Sequence, residues 1–155
     1  MTRHSVTVDA SPERAFRVFT EELGSWWPPE YSWSQDVLEQ MWMEPRQGGL
    51  VTELGPHGFR SDWGRVLAWD PPQRLVFAWQ ISPRREPEPN PAKASEVEVR
   101  FTAGDGGTNV ELEHRAFERH GEGAAEYERA LGSEQGWPFL LERFAAAAGA
   151  GGRTD

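Results

Sequence analysis

Alternation of apolar and polar residues over the middle of the chain limits its possible folds more than any other feature. In the stretch SEVEVRFT (95–102), Val97 and Val99 fall on one face of an extended chain, and the glutamates beside them fall on the other. Turns rich in glycine and proline separate five further stretches of this kind: 37–45, 48–55, 59–70, 74–82 and 108–117. Together with RHSVTVDA (3–10), they predict an antiparallel sheet of about seven strands.

Helical spacing predicts α-helices before and after the main run of strands. Ser11 is a suitable N-cap and Pro12 suits a first turn, so we expect one helix to begin there and to end near Gly24. The segment 121–132 is expected to form a short polar helix. A longer helix within 133–148 carries an apolar stripe made of Trp137, Leu140, Leu141, Phe144 and Ala148. One helix cannot fill the concave side of so large a curved sheet, so an internal cavity is a natural outcome of this α+β arrangement.

Composition narrows the possible partners. The 155 residues carry a net charge of −9, which argues against nucleic acid or an anionic membrane surface because both need a basic footprint. The absence of cysteine excludes disulfides and thiolate chemistry. Neither a signal peptide nor a membrane span is visible, so we expect a cytoplasmic protein with no membrane insertion. We expect one domain over residues 1–148, followed by a disordered tail over 149–155.

The stretch GSWWPPEYSW (24–33) is a predicted loop that carries an unusual number of aromatic residues. Its prolines oppose both a regular helix and a central strand. The rings of Trp26, Trp27 and Trp33 could fill the rim of the core, or one or two of them could form a gate that stacks on a flat or apolar ligand. We expect one ring to act as a plug and another as a pocket wall.

Two strands joined at 70–72 hold further tryptophans. Trp63 and Trp69 lie an even number of residues apart, so in a regular strand they share a face with Arg65 and Leu67. Because a strand buried on one side cannot hide both faces, either Arg65 or a tryptophan must lie at a surface or in a polar pocket. The sequence leaves this choice open.

His114 is the most interesting titratable residue. It follows Val110 and Leu112 at intervals of two, so it is expected to point into the core or the cavity. Such a histidine can be structural, or it can serve as a general base or hydrogen-bond partner for a ligand. His120 lies six residues further on, at a spacing that matches no strong metal pattern, and we expect no metal site.

Several segments, taken in order, are similar to a known bacterial family. The most specific are WGRVLAWDPPQRLVFAW (63–79), LEHR (112–115) and GWP (136–138). They resemble homologues of the activator of heat-shock protein 90 ATPase, within the START-like (SRPBCC, Bet v 1-like) superfamily, from about Val6 to Ala147. The resemblance implies a helix-grip fold, in which the sheet wraps the long C-terminal helix around an apolar pocket, with two short helices after the first strand. Relatives include lipid binders, aromatic-polyketide cyclases, hydrolytic enzymes and a co-chaperone domain.

Our first hypothesis is a domain that binds a small hydrophobic or aromatic molecule in an internal cavity, as a monomer or homodimer, without cofactor, metal or covalent chemistry. The candidate ligand-binding residues are Trp26, Trp27, Trp33, Trp42, Trp63, Phe77, Trp79, His114, Trp137 and Leu141. The alternative is a cavity enzyme of the cyclase, dehydratase or hydrolase type, in which His114 acts in acid/base catalysis. A second alternative is a protein-interaction module like a co-chaperone.

Overall fold

A computed structural model describes residues 1–150 and contains one curved antiparallel sheet. Its seven strands are β1 (Thr2–Val8), β2 (Gln40–Met43), β3 (Leu50–Leu54), β4 (Arg60–Asp70), β5 (Arg74–Trp79), β6 (Ser95–Gly104) and β7 (Gly107–Arg115). They lie in the order β1-β7-β6-β5-β4-β3-β2, so the strands from β2 to β7 form a meander and β1 closes on β7. The predicted seven-stranded antiparallel sheet is confirmed.

Three α-helices accompany the sheet: α1 (Pro12–Thr20), α2 (Ala124–Gly132) and α3 (Trp137–Ala150). The Ser11 hydroxyl caps α1 by accepting the backbone N–H of Arg14, as the sequence predicts. Helices α1 and α3 pack against each other through the rings of Phe19 and Phe144, whose centroids are 5.2 Å apart. The arrangement is the helix-grip fold that the resemblance implies.

Two details at the helices differ from expectation. Only α1 is an α-helix between β1 and β2, and three single 3₁₀ turns follow it at Leu23–Ser25, Pro29–Tyr31 and Gln35–Val37. Prolines at positions 28 and 29 prevent a second regular helix there. At the other end, α3 includes Gly149 and Ala150, which we had assigned to a disordered tail. The remainder of that predicted tail, 151–155, lies outside the described residues.

Two β-bulges decide which side chains of β4 face inward. In the pairing of β3 with β4, Trp63 is an extra residue, and in the pairing of β4 with β5, Leu67 is an extra residue. Each bulge shifts the alternation by one position. Trp63 and Trp69 therefore both pack into the interior, whereas Arg65 and Leu67 are exposed on the outer face. The prediction that these four residues share one face was wrong because a regular strand was assumed.

The concave side of the sheet and the three helices enclose a core rich in aromatic rings. Leu75, Phe77 and Trp79 of β5 all belong to it, as their alternation predicts. Edge-to-face contacts at centroid distances of 5–6 Å connect successive rings, and such pairs stabilise a core by about 0.5–1.5 kcal/mol each beyond the area they bury. A chain with a low apolar content can thus still hold a dense interior.

None of the helices in residues 1–150 combines the length and the apolar character needed to cross a membrane.

Candidate functional site

An open groove of about 470 Å³ lies where the aromatic loop meets the turn between β3 and β4. We call it the mouth; it is formed by Trp33, Ser34, Val37, Phe59, Ser61 and Pro87, among others. Val37 and Phe59 are large apolar side chains that remain exposed here. Exposed apolar side chains gathered around a groove are typical of a binding surface.

Buried Glu53 holds the aromatic loop in place at the mouth. It lies on β3 with no exposed surface, and its carboxylate accepts the backbone N–H groups of Trp33, at 3.2 Å, and Ser34, at 2.8 Å. The Ser34 hydroxyl adds a third hydrogen bond, at 2.7 Å. These three hydrogen bonds give the backbone of the loop partners at a place where it has no strand pairing.

Trp33 connects this loop to the proline-rich loop, which we define as residues 82–93. Its indole Nε1–H donates to the backbone oxygen of Arg85 at 2.9 Å, and the guanidinium of Arg85 lies 4.7 Å from the ring centre of Tyr127 on α2. An isolated bridge between Ile81 and Pro87 folds the start of the same loop back on itself. Trp33 is partly buried against the core, so its ring stands between solvent and the interior.

Behind the mouth, β4 presents two polar groups that have no partner in the described part of the chain. Ser61 forms part of the mouth, and Trp63 is the next residue of β4 whose side chain faces inward. Within residues 1–150, neither the Ser61 hydroxyl oxygen nor the Trp63 Nε1 atom has a hydrogen-bond partner, although both atoms are buried. A buried donor without a partner costs about 1–3 kcal/mol, so such groups are rare in native proteins and call for an explanation.

Trp63 is one ring in a continuous aromatic wall. Its ring centre lies 5.3 Å from that of Trp27 and 5.4 Å from that of Trp79. The wall continues from Trp79 to Trp137 at 5.6 Å and from Trp27 to Trp26 at 5.6 Å. The aromatic loop thus supplies two buried plugs, Trp26 and Trp27, while its third tryptophan stays at the rim.

His114 stands at the far side of Trp79, in a buried chain of hydrogen bonds. Its Nδ1 lies 3.0 Å from Nε1 of Trp137, and its Nε2 lies 2.7 Å from Oγ of Ser95. Ser95 Oγ also lies 2.7 Å from Nε2 of His120. An indole nitrogen can only donate, so His114 Nδ1 must accept and its proton must reside on Nε2. The Ser95 hydroxyl oxygen then accepts a hydrogen bond from His114 Nε2–H, and its O–H donates to His120 Nε2. The proton of neutral His120 therefore resides on Nδ1.

The two imidazoles in this chain of hydrogen bonds, His114 and His120, are neutral. Burial lowers the pKa of His114 well below its usual value, and the nearby His120 acts in the same direction. Burial also lowers the pKa of His120, against an opposing effect of Glu88. Because both ring nitrogens of His114 already have partners in the protein, His114 would have to give one up before it could act as a base.

Most of the residues predicted to bind a ligand come together in this interior. Trp26, Trp27, Trp63, Phe77, Trp79, His114, Trp137 and Leu141 are all buried in it. Trp42 is a correction: strand alternation places the neighbouring Met41 and Met43 inside, and Trp42 lies outside the core, in a separate groove at the edge of the sheet.

Sequence reasoning missed several residues of the site. Glu53 follows buried Val51 at an interval of two, so a carboxylate at an inward position was a signal that could have been read. Ser95, Ser61 and Tyr127 gave no such signal. Tyr127 accepts the Trp79 indole N–H at 2.7 Å and donates to the backbone oxygen of Ile81 at 2.9 Å, contacts that only the folded chain creates.

The fold has many solved relatives. The chain is similar to an anthrahydroquino-gamma-pyrone synthase, Txn09, solved in complex with SUM, at 39% identity over 94% of this chain and 95% of that chain, with a TM-score of 0.68. It is similar to CalC, a self-sacrificing resistance protein from Micromonospora echinospora, at 29% identity over 99% and 97% of the two chains, with a TM-score of 0.65.

Protein NE0264 from Nitrosomonas europaea shares the fold at only 14% identity, over 96% and 94% of the two chains, with a TM-score of 0.65. A comparison with curated protein sequences found no match. The sequence model described as Activator of Hsp90 ATPase homolog 1-like protein matches residues 9–149. The match begins just after β1 and spans the other six strands, α1, α2 and all but the last residue of α3. The chain belongs to the Activator of Hsp90 ATPase homolog 1-like protein family.

Proposed function

We propose that this protein binds a flat, largely apolar polycyclic aromatic molecule, which reaches the aromatic interior through the mouth. The observation that carries the proposal is the position of Trp33. Its partly buried ring stands at the rim, tethered to the proline-rich loop by one hydrogen bond, with the wall of Trp27, Trp63 and Trp79 behind it.

The physical chemistry of the wall favours such a ligand. A flat ring system can stack on or edge against tryptophan rings, and burial stabilises the complex by about 25 cal/mol per Å² of apolar surface removed from water. The exposed Val37 and Phe59 add apolar contact at the mouth. Two contacts join the two loops across the mouth: the Trp33 indole donates to the Arg85 carbonyl, and the Arg85 guanidinium stacks on Tyr127. Opening the mouth requires these two contacts to break, while Glu53 keeps the backbone of the aromatic loop in place.

Binding is tested with 2-(hydroxymethyl)anthracene, a neutral probe, by fluorescence titration and native mass spectrometry. We expect a one-to-one complex that is weakened by Trp33→Ala and by Phe59→Ala. Trp42→Ala is the matched control, because Trp42 is a partly buried tryptophan in a different groove and its loss should leave binding unchanged. Absence of binding, or equal weakening by all three substitutions, would refute the proposed site.

A ring-closing enzyme is the second candidate. It is supported by the 39% identity to a protein described as an anthrahydroquino-gamma-pyrone synthase. Closure of a γ-pyrone from an ortho-hydroxyaryl 1,3-diketone joins the phenolic oxygen to the distal carbonyl carbon and releases water, so it needs no oxidant. Incubation with 1-(2-hydroxyphenyl)-3-phenylpropane-1,3-dione, followed by absorbance of the flavone product, measures this activity. A wild-type rate that exceeds both the rate in buffer and the rate with the Trp33→Ala variant would favour an enzyme. Binding of this diketone without turnover would favour a binding protein.

A further inference from the structure

Trp63 differs from three other buried tryptophans, Trp26, Trp79 and Trp137, in the state of its indole N–H. The indole of Trp26 donates to the Val18 carbonyl, that of Trp79 to Tyr127 and that of Trp137 to His114. Trp63 is equally buried, with only 1% of its surface exposed, and its Nε1 atom has no partner within residues 1–150. Of these four indoles, the one that has no partner among the described residues lies on β4, the strand that contributes Ser61 to the mouth.

Ser61, the inward-facing residue of β4 that precedes Trp63, also carries a buried polar group without a partner in residues 1–150. It is 7% exposed, its hydroxyl oxygen is buried without a partner among the described residues, and it forms part of the mouth. Residues two apart on a strand are separated by about 7 Å, so the two groups form a short row that leads from the mouth into the interior. Both groups can donate a hydrogen bond, and an indole can do nothing else.

We infer that Ser61 and Trp63 form a two-point subsite for oxygen atoms of the ligand, with a carbonyl or oxyanion oxygen at Trp63. The inference rests on the proposed function and narrows it from polycyclic aromatics in general to aromatic ketones and quinones. A hydroxyl group is disfavoured at Trp63 because its own proton would then need an acceptor, which the indole cannot supply. Ser61 accepts as well as donates, so it can bind either a carbonyl or a phenolic hydroxyl.

The geometry also limits the shape of the ligand. A molecule that contacts both groups must extend from the mouth, where Ser61 lies, to the ring of Trp63, which packs against Trp27 and Trp79. A rigid fused ring system with oxygen substituents meets this requirement, and it loses little conformational entropy on binding. A flexible fatty chain loses more conformational entropy on binding and has no ring that can stack on Trp27 and Trp79.

The test compares two probes that differ only in ring oxygens: 2-(hydroxymethyl)anthraquinone and 2-(hydroxymethyl)anthracene. We expect the wild-type protein to bind the quinone about tenfold more tightly, as the combined net effect of the hydrogen bonds at Ser61 and Trp63. Ser61→Ala removes only the hydroxyl, and Trp63→Phe keeps an aromatic ring but removes the N–H. Each substitution should reduce the preference for the quinone and leave the affinity for the anthracene nearly unchanged.

A second measurement does not depend on any variant, because Trp63→Phe also reduces the volume of a core side chain. In an NMR spectrum of ¹⁵N-labelled wild-type protein, the Trp63 indole proton should shift downfield with the quinone but not with the anthracene. Equal affinities for both probes, without that shift, would overturn the subsite while the proposed function stands. Failure of both probes to bind would overturn the proposed function and the subsite together.

Discussion

Acidification should destabilise the fold through His114, and the effect can be isolated with one substitution. In the folded protein His114 is neutral, because it accepts from Trp137 with one ring nitrogen and donates to Ser95 with the other. Protonation would set a second N–H against the Trp137 indole, a donor that cannot reverse its role. The unfolded chain has no such constraint, so it takes up the proton more readily than the folded chain.

The sign and size of the effect follow from linkage. Burial holds the pKa of folded His114 well below the value of about 6.5 expected for an unfolded chain. Between these two values the unfolded state binds one more proton, so stability is fully present above pH 6.5 and falls with decreasing pH below it. The slope is at most about 1.4 kcal/mol per pH unit for one histidine, which amounts to about 2 kcal/mol by pH 5.

Urea unfolding at a series of pH values between about 5 and 8 measures this slope. His114→Gln should be less stable than wild type at pH 8, because it loses buried hydrogen bonds, yet it should lose less stability on acidification, so the two curves converge. His57→Asn is the control: His57 lies in an exposed turn with φ 60°, a conformation that asparagine tolerates, and its slope should match wild type. Parallel curves for wild type and His114→Gln would refute the neutral hydrogen-bonded chain.

Two further substitutions test how the site is held together, and a pair of glycine substitutions tests the hairpin between β6 and β7. Glu53→Gln should reduce the free energy of unfolding by about 2 kcal/mol in urea titrations, because an amide NH₂ must then face backbone donors; stability within error of wild type would contradict the anchoring role. Tyr127→Phe should cost about 1–3 kcal/mol by leaving the Trp79 indole unpaired, and an unchanged melting temperature would argue against that contact. Gly107→Ala should be strongly destabilising, since its φ is 145° and a Cβ there would overlap the Val8 carbonyl, whereas Gly104→Ala in the same hairpin meets no atom within 4 Å and should be mild.

Local periodicity was sufficient to predict the sheet, because each strand carries its own alternation and each turn its own glycine or proline. It was also sufficient to predict that His114 points inward, since β7 is regular from Val110 to His114. It failed on β4, where the two bulges arise from the pairing of β4 with its neighbours. A bulge depends on both strands at once, and one strand read alone does not show it.

The polar contacts of the site were beyond sequence reasoning for a related reason. Ser95 bridges His114 and His120 from a strand 19 residues earlier, and Tyr127 meets Trp79 across 48 residues. Such pairs depend on strand register and helix placement to within a few ångströms. The residues themselves are unremarkable in the sequence, because serine and tyrosine occur in many contexts that carry no chemistry.

The two sides of Trp79 differ in how their polar groups are satisfied, and this difference predicts where a ligand oxygen binds. Toward β7, both ring nitrogens of His114 and the indole of Trp137 already have partners, so a ligand oxygen can bind these groups only by breaking a bond. On that side, among residues 1–150, Nδ1 of His120 at the end of the hydrogen-bonded chain is buried without a partner. Toward β4, Trp63 and Ser61 have none within residues 1–150, so a ligand oxygen relieves an existing cost. On addition of 2-(hydroxymethyl)anthraquinone, the Trp63 indole proton should therefore shift while that of Trp137 stays in place. A shift at Trp137 instead would move the polar end of the ligand to His114 and favour an enzyme in which that histidine takes part.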